Sequence, residues 1–428
     1  MHLCHFEERP EAFEPICLTR PVFELRCGLT TLAQKQRRYF TAMSWSAWMR
    51  PALEEVYRVE NPGIAVNEAC DSRDTVVVLV NGRWLPPAEV FEMPPRSSVG
   101  LVGEEVAYVL LRGDDARFAS VDEVMRRVLP RGPAGGRMLS YLWDVVERNA
   151  DEIRRDYYSP RPSGGEGVRG QVAPCDAVER TTPIVAGPAA LLRIAPSAKI
   201  EPMVLADTTH GPIVIDDGAF VTAFTRLEGP CHIGAHSQVV GAKIRAGTSI
   251  GPQCRVGGEV EASILHGYSN KYHEGFLGHA YVGSWVNLGA GTHNSDLRND
   301  YGEVSVVVDG HLVRTGMTKV GCFLGDHTKT ALGTLINTGT NVGAFCNLLP
   351  AGRFPPKHIP SYASWINGSL RQFFTLDQML ATAQTVMSRR GIDLTDAHRT
   401  FYTSLHAATE PDRRRLLRAE EPRLRKAS

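Results

Sequence analysis

Aliphatic residues recur every six positions through the second half of the chain, and this repeat constrains the fold more than any other feature. The recurring residues are Ile215, Val221, Leu227, Ile233, Val239, then Ile244, Ile250, Val256, then Val282, Leu288, and finally Leu324, Ile336, Val342, Leu348, with Thr330 in a vacant slot. Six residues per side build a triangular coil whose interior takes one side chain per side, and stacked rungs bury a continuous core. The repeat therefore predicts a left-handed parallel β-helix from about Ile194 to Leu349.

Compact residues stand four positions after the aliphatic ones, where the chain turns between sides. They are Ala219, Thr225, Cys231, Ser237, Thr248, Cys254, Val286, Thr292, Thr328, Thr334, Thr340 and Cys346. The three cysteines among them are predicted to be small buried core residues with no redox role.

Composition narrows the class of protein. The 428 residues suggest two to three domains. Lys plus Arg equals Asp plus Glu, at 47 each, so charge gives no reason to expect nucleic acid or a membrane as partner. No run of 18 apolar residues and no signal sequence is recognised, and the nine cysteines are scattered. These features predict a cytoplasmic protein.

The first 160 residues have a mixed α/β pattern. Strands are predicted over Thr75–Val80 and Val106–Leu111, and helices over Leu32–Trp48, Ser120–Val128 and Tyr141–Arg155. The Pro-, Gly- and Ser-rich residues 159–170 predict a linker.

Three further features are predicted after the coil pattern breaks. Residues 300–319 indicate a β-hairpin that turns at Asp309-Gly310. A helix begins after the N-cap Thr375 and ends at Gly391, and a second helix covers about 397–407. The basic tail at 423–428 is expected to fray.

A cluster of polar and aromatic residues interrupts the coil between Gly267 and Asn299. It begins Ser269, Asn270, Lys271, Tyr272, His273, and continues with Leu277-Gly278 and Val286-Asn287-Leu288-Gly289-Ala290-Gly291-Thr292. This segment resembles, without a gap, the acetyltransferase half of the bifunctional N-acetylglucosamine-1-phosphate uridyltransferase/glucosamine-1-phosphate acetyltransferase family.

The resemblance implies roles for several residues. His273 takes the place of the general base, and imidazole titrates near neutral pH. Asn287 matches a sugar contact, and Asn270, Lys271 and Tyr272 are further substrate-binding candidates. The family's co-substrate is acetyl-CoA, bound between the coils of a homotrimer.

Three positions depart from the family pattern. Asp326 stands where a serine lies near CoA, Asp296 stands near a family asparagine, and Phe276 replaces a tyrosine that contacts substrate. Asp326 and Asp296 are the cofactor-binding candidates, and the departures leave the exact acceptor open.

Two other interpretations of the histidines stay open. His273 alone is compatible with a surface residue that only packs. His266, His273 and His279 together would suit the intersubunit zinc site of β-helix carbonic anhydrases, since imidazole is a good zinc ligand.

The whole chain also resembles variant members of this family that are described as sugar nucleotidyltransferases. The opening from Leu18 to Gly28 carries this likeness, as do residues 141–144 with Asp156. The nucleotide-binding candidates are Arg20, Arg26, Gly28 and Lys35. They resemble a phosphate-binding loop in residue type only, because the sequence contains no Gly-x-Gly-Thr-Arg loop. Alternatively, Arg20 and Arg26 pair with Glu24 or Glu14.

Magnesium for nucleotidyl transfer is usually held by carboxylates. No aspartate ends the strand predicted at Thr75–Val80, which leaves Asp114, Asp115 and Asp156 as candidates, or as plain surface charges.

The predicted organisation is a nucleotidyltransferase-like α/β domain at 1–185 with a linker at about 159–185, a left-handed β-helix acyltransferase domain at 186–360, and a helical extension at 361–428. The predicted function is acetyl transfer to an amino-sugar 1-phosphate, with UTP-dependent nucleotidyl transfer at the N-terminal domain. Alternatives are a chain with one active half and a non-catalytic trimeric scaffold or sensor.

Overall fold

The computed structural model describes residues 1–159 and 182–425, with side chains to residue 419. Residues 160–181 of the predicted linker lie outside the described residues. The chain forms two compact units: the first contains residues 1–13, 19–25 and 30–141, and the second 14–18, 26–29 and 142–428. The predicted domain limits at 185 and 360 stay a prediction.

Seven α-helices occur in the described residues. They are α1 Leu32–Tyr39, α2 Glu54–Glu60, α3 Val121–Met125, α4 Leu142–Tyr158, α5 Leu376–Ser388, α6 Asp396–Ala408 and α7 Glu410–Arg425. Short 3-10 turns cover Pro10–Phe13, Ile16–Leu18, Val22–Glu24, Pro51–Leu53, Gly113–Ala116 and Ala189–Leu191. None of the helices described is long and apolar enough to span a bilayer.

The first unit is built on a mixed seven-stranded sheet. Its strands run in the order Arg131–Pro133, Ser98–Val102, Glu105–Leu111, Val77–Asn81, His2–Phe6, Ser44–Trp48, Ala65–Val66. The first strand of the chain is parallel to both of its neighbours. Smaller strands are Cys70–Asp71 with Arg117–Phe118, Trp84–Leu85 with Arg137–Met138, and Thr30–Thr31. The central strand Val77–Asn81 is entirely buried, which explains its continuous run of aliphatic residues.

One helix prediction in this unit is wrong. The helix predicted over Leu32–Trp48 ends at Tyr39, and Ser44–Trp48 is a strand. Thr41 adopts φ 51° between the two, a left-handed conformation that a helix cannot contain. The other strands and helices are confirmed with shifted ends.

The second unit contains the predicted left-handed β-helix. One face stacks Leu192–Ile194, Ile213–Ile215, Cys231–Ile233, Thr248–Ile250, Ile264–Gly267, Tyr281–Ser284, Cys322–Leu324, Thr340–Val342 and His358–Ile359. The other faces use Ile184–Ala186, Lys199–Ile200, Leu205–Asp207, Phe220–Val221, Arg226–Glu228, Gln238–Ile244, Arg255–Glu261, Asn270–Lys271, Phe276–Gly278, His293–Asn294, Lys329–Thr330, Leu335–Ile336, Asn347–Leu349, Ser364–Ile366 and Ser369–Arg371. All of the coil's rung-to-rung pairings are parallel except the last, between Ser364–Ile366 and Ser369–Arg371.

The interior of the coil is the predicted one. Every aliphatic residue of the six-residue pattern is at most 3% exposed, and Thr330 fills its slot at 7%. Residues of the compact set are buried at the corners, where Ser237 and Thr328 donate hydrogen bonds to the carbonyls of Gly251 and Gly343. The cysteines at 231, 254 and 346 are fully buried, as predicted.

A lysine occupies one interior slot of the coil. Lys271 pairs in register with Val256, and Leu277 follows it six residues later. The side chain of Lys271 is 2% exposed. A rule that looks for aliphatic residues misses this slot, and the lysine lies inside the segment that resembles the acetyltransferase.

The segments after the break in the pattern fold largely as expected. The hairpin Ser305–Val308/His311–Arg314 turns at Asp309 and Gly310, both with positive φ. Thr375 caps α5 with a reciprocal capping box. The sequence does not predict the helix α7, which extends to Arg425, because this segment is mostly charged and has almost no apolar repeat. The expected fraying of the tail is wrong for residues 423–425, which are the last residues of α7, and residues 426–428 lie outside the described residues.

Candidate active site

A column of polar side chains follows one outward face of the β-helix. Arg255 pairs with Asn270, Asn270 with Asn287, Asn287 with Lys329, and Lys329 with Asn347. Residues in register on parallel strands place their side chains one above another on the same face. The column therefore collects two substrate-binding candidates, Asn270 and Asn287, between cationic neighbours.

The two asparagines are hydrogen-bonded to each other. Asn270 Nδ2 lies 3.3 Å from Asn287 Oδ1, and Asn287 is exposed. The other amide atom of Asn270, Oδ1, accepts a hydrogen bond of 3.1 Å from Arg390, which follows α5. Asn270 is therefore held from both sides, and the Nδ2 group of the exposed Asn287 forms no hydrogen bond with the described residues.

Lys271 faces the interior beneath this surface. Its ammonium group donates to the carbonyls of Gly257 and His273, both at 2.9 Å. Burial lowers the pKa of Lys271 to about 8, although Glu274 acts in the opposite direction. In this position Lys271 holds the backbone that carries His273, and its ammonium group is enclosed rather than open to a sugar phosphate.

His273 projects from the surface of the coil. Its side chain is exposed and forms no hydrogen bond with any residue in the described ranges. The ring packs edge to face against Tyr272, with centroids 5.2 Å apart, and Tyr272 is 44% exposed. Burial in the coil interior would have argued against a catalytic base, and His273 is not buried. Its role stays a prediction.

The two cofactor-binding candidates accept hydrogen bonds from other residues of the coil. Asp326 is 4% exposed and accepts a hydrogen bond from the amide of Ser284 at 2.8 Å. Asp296 accepts one from His279 Nδ1 at 2.7 Å. Burial is the largest single influence and acts to raise the pKa of Asp296, but the hydrogen bond and charge of His279 together with the charge of Lys319 outweigh it, and the pKa is lowered.

The histidines of the zinc alternative have separate partners. His266 lies 3.1 Å from the hydroxyl of Tyr281, and His279 is paired with Asp296. Within residues 1–159 and 182–425 of one chain, no three His, Cys, Asp or Glu side chains are grouped to hold a metal.

The nucleotide-binding candidates divide between the two units. Arg20 and Lys35 belong to the first, where Lys35 is 2% exposed, and Arg26 and Gly28 belong to the second. Arg26 donates through Nη1 to the carbonyl of Leu29. Gly28, with φ 75°, donates to Asn149 of α4 at 2.6 Å. Nucleotide binding by these residues stays a prediction.

The magnesium candidates also have local surroundings. Asp156 is 2% exposed and accepts a hydrogen bond from the amide of Leu29, which fixes a loop against α4. Asp114 is 91% exposed and lies 3.8 Å from Arg73. Asp115 is half-buried beside it. Asp156 belongs to the second unit, whereas Asp114 and Asp115 belong to the first.

Charged residues that sequence reasoning missed lie at the carboxyl ends of the first unit's parallel strands. The strand order reverses at His2–Phe6, and open α/β sheets bind ligands at such a point. Glu7 forms an ion pair with Arg50 at 2.5 Å. Burial raises the pKa of Glu7, with Arg50 opposing it.

A second ion pair stands at the same edge. Arg83, 1% exposed, contacts Glu8 and Glu105 at 2.5 and 2.7 Å. These residues are far apart in the sequence, and only the strand order shows that they lie at one edge of the sheet. The positive charges of Arg50 and Arg83 are already neutralised by carboxylates, unlike the charges of an open phosphate-binding loop.

Known proteins share parts of this sequence. Residues 3–160 match the family model of a sugar nucleotidyl transferase. A bifunctional sugar-1-phosphate nucleotidylyltransferase/acetyltransferase of Sulfurisphaera tokodaii is 35% identical over 92 residues, or 22% of this chain and 23% of that protein. The bifunctional protein GlmU of Jannaschia sp. is 31% identical over 186 residues, or 41% of this chain and 37% of that protein.

The fold and these matches define a class: a sugar nucleotidyl transferase-like domain joined to a hexapeptide-repeat β-helix, related in sequence to bifunctional transferases. The predicted resemblance to the uridyltransferase/acetyltransferase family is thereby confirmed. The chain spans only 23% and 37% of the length of these two relatives. A solved UDP-N-acetylglucosamine acyltransferase of Francisella novicida covers 53% of this chain and 76% of its own, at 12% identity and a TM-score of 0.29, too low to support a conclusion.

Proposed function

We propose that the β-helix transfers an acetyl group from acetyl-CoA to an amino-sugar 1-phosphate, with His273 as general base. Glucosamine 1-phosphate is the expected acceptor. The N-terminal domain would transfer a nucleotidyl group from an NTP, expected to be UTP, to the sugar 1-phosphate. The acetyl transfer is proposed on one observation: the imidazole of His273 is exposed and forms no hydrogen bond with the described residues. This histidine lies on the segment that resembles the acetyltransferase without a gap.

The proposed reaction needs one base. The neutral amine of the sugar attacks the thioester carbonyl, a C–N bond forms, and the C–S bond breaks as the thiolate leaves. His273 accepts the proton that the amine loses and returns it to the thiolate. General base catalysis of this kind contributes about 100- to 10,000-fold.

The neighbouring residues have matching roles in this proposal. Asn287 would donate from its exposed amide to a sugar hydroxyl, and Asn270 would orient Asn287 through their 3.3 Å hydrogen bond. Tyr272 would cover one side of the acceptor, and Lys271 would fix the His273 backbone through its 2.9 Å hydrogen bond. Lys271 is thus proposed as a positioning residue.

The test is release of free thiol from acetyl-CoA in the presence of glucosamine 1-phosphate. His273→Ala should lower the turnover by at least about 100-fold. His311→Ala is the matched control, because His311 is exposed on the hairpin and far in sequence from the candidate site. Thiol release that is equal in the wild type and His273→Ala would refute the assignment of the base.

A second candidate is nucleotidyl transfer without acetyl transfer. It is favoured by the family match of residues 3–160 and by Phe276, which stands where the family has a tyrosine. Pyrophosphate release from UTP that needs a sugar 1-phosphate, together with no thiol release, would support it. Magnesium would then be required with the nucleotide, and no residue of the described chain is assigned to it.

A homotrimer is proposed as the working assembly, with small-molecule sugar phosphates and nucleotides as the partners and the cytoplasm as the location. In the resembled family acetyl-CoA lies between coils of neighbouring subunits. Asp326 and Asp296 remain the proposed contacts of this chain with the cofactor. Light scattering should give three times the chain mass of 47.0 kDa.

A further inference from the structure

Two guanidinium groups lie next to each other at the start of the polar column. Arg255 is on the coil, and Arg390 follows α5; both are half-buried. The positive charge of Arg390 is near enough to help lower the pKa of Arg255 to about 10, after burial, which is the larger cause. Burial also lowers the pKa of Arg390. Arg255 and Arg390 are thus two partly desolvated cations close to each other.

No carboxylate neutralises this pair in the described part of the chain, where neither arginine forms an ion pair. Besides Arg390, the titratable groups that act on Arg255 are Cys254 and Tyr272, and those that act on Arg390 are Cys254 and Arg389. The thiol of Cys254 has its pKa raised to about 11 by burial, so it is neutral at pH 7.

Several donors of the pair are also unused. Among the described residues, Arg255 donates only from Nη1, to the carbonyls of His236 and Cys254. Arg390 donates from Nη2 to Asn270, and its Nε is enclosed with no partner among the described residues. Buried donors are normally satisfied, and those that are not need an explanation.

We infer that Arg255 and Arg390 form a subsite for a phosphoryl group of a substrate. Planar guanidinium groups bind phosphate oxygens through two parallel hydrogen bonds, and two half-buried cations without a counter-ion are costly unless an anion joins them. The subsite adjoins Asn270, which is bonded to Arg390 and to Asn287.

This inference rests on the proposed function and adds the group that fixes the acceptor. In glucosamine 1-phosphate the phosphate on C1 and the amine on C2 are on adjacent ring carbons. A phosphate subsite must therefore lie close to the base, and Asn270 is three residues from His273. CoA also carries phosphoryl groups, so the experiment has to separate the two sources.

The kinetic test compares Arg390→Gln with Arg389→Gln, its exposed neighbour in sequence. Loss of one charged phosphate contact should raise KM about tenfold or more. A higher KM for glucosamine 1-phosphate alone supports the subsite and assigns the sugar phosphate. A higher KM for acetyl-CoA alone supports the subsite and assigns the cofactor. Unchanged KM values for both substrates would overturn the inference.

A binding test that does not depend on turnover uses inorganic phosphate. A ligand that binds only the folded state raises its melting temperature. Phosphate, compared with chloride at equal ionic strength, should raise the Tm of the wild type and of Arg389→Gln, and should raise that of Arg390→Gln less. An equal rise in all three proteins would overturn the subsite.

The two failures can be told apart. If the wild type releases no thiol but phosphate stabilises it in an Arg390-dependent way, the proposed acetyl transfer fails and the subsite stands. If the wild type turns over and Arg390→Gln behaves as Arg389→Gln in both tests, the subsite fails and the proposed function stands.

Discussion

At the scale of single residues, the buried ammonium group of Lys271 makes stability depend on pH. The folded-state pKa is about 8 and the ordinary value is 10.5. Between these values the unfolded chain binds a proton that the folded chain has released. Stability should therefore rise with pH across this window, by on the order of 3 kcal/mol for a shift of this size. Below pH 8 the full cost of the charged lysine is present.

Urea unfolding of the wild type and Lys271→Met at several pH values isolates this contribution. The free energy of unfolding of the wild type should gain on that of Lys271→Met as the pH is raised from 8 to 10.5. Lys243→Met, an exposed lysine on the same coil, is the control and should run parallel to the wild type. A constant difference between wild type and Lys271→Met would show that Lys271 is not desolvated.

Asn270 provides a second residue-scale prediction. Its Oδ1 accepts from Arg390 at 3.1 Å, so Asn270→Asp places a carboxylate against a cation that has no counter-ion. We expect the free energy of unfolding to rise by about 1 kcal/mol, since the residue is only half-buried. Chemical denaturation measures the gain, and Asn299→Asp, at an exposed position, is the control.

The same Asn270→Asp variant should lose its stabilisation by phosphate, because the new carboxylate takes the place of the anion. A destabilised variant that still responds to phosphate would contradict both the local geometry and the charge imbalance. Residue types alone could not have led to this test. Arg255 and Arg390 are 135 positions apart and meet only because α5 packs on the coil.

At the scale of secondary-structure elements, Gly28 is needed where the segment 26–29 passes α4. Its φ is 75°, and a Cβ there would lie 2.8 Å from the backbone of Glu152 and 2.6 Å from Asp156. A clash with backbone cannot be relieved by a rotamer change. Gly28→Ala should therefore lower the free energy of unfolding by about 3 kcal/mol or more.

Gly63→Ala is the matched control for this position. Gly63 also has a left-handed φ, 85°, but a Cβ there would meet nothing within 4 Å. It should cost only the conformational term, about 1 kcal/mol. Equal losses in thermal or urea unfolding of the two variants would show that Gly28 has more room than its surroundings indicate.

The coil could be predicted in detail because its interior residues recur with a fixed period of six. Each interior slot lies six residues from the next along most of the chain, so one aliphatic register fixes the others. The exceptions follow from shorter steps. Val260 lies four residues after Val256, and the pairing of Gln238–Ile244 with Arg255–Glu261 shifts register between Val240 and Lys243. A search for a strict period cannot follow such steps.

The candidate site was less predictable than the coil. The segment around His273 could be located because it breaks the pattern, and its likeness to the acetyltransferase supplied roles. The enclosed position of Lys271 could not be found, because a lysine is not expected in an apolar interior. Arg390 could not be linked to the site either, since no periodicity relates a residue after α5 to a distant rung of the coil.

At the scale of the whole molecule, each of the two compact units has its own hydrophobic core. In the first unit the core is formed between the mixed sheet and its helices, around residues such as Leu79 and Val109. In the second it fills the coil, around residues such as Ile250. Because each unit has its own core, a substitution in one unit should remove one proposed activity and leave the other. Acetyl transfer and nucleotidyl transfer can therefore be tested separately.

His273→Ala should abolish thiol release and leave nucleotidyl transfer intact. His273 is exposed and forms no hydrogen bond with the described residues, so replacing it should not disturb either core. Pyrophosphate release from UTP and N-acetylglucosamine 1-phosphate, measured beside thiol release in one preparation, checks this. Loss of both activities with an unchanged Tm would mean that the halves do not work independently. Retention of pyrophosphate release at the wild-type rate would show that the chain joins two separable transferases.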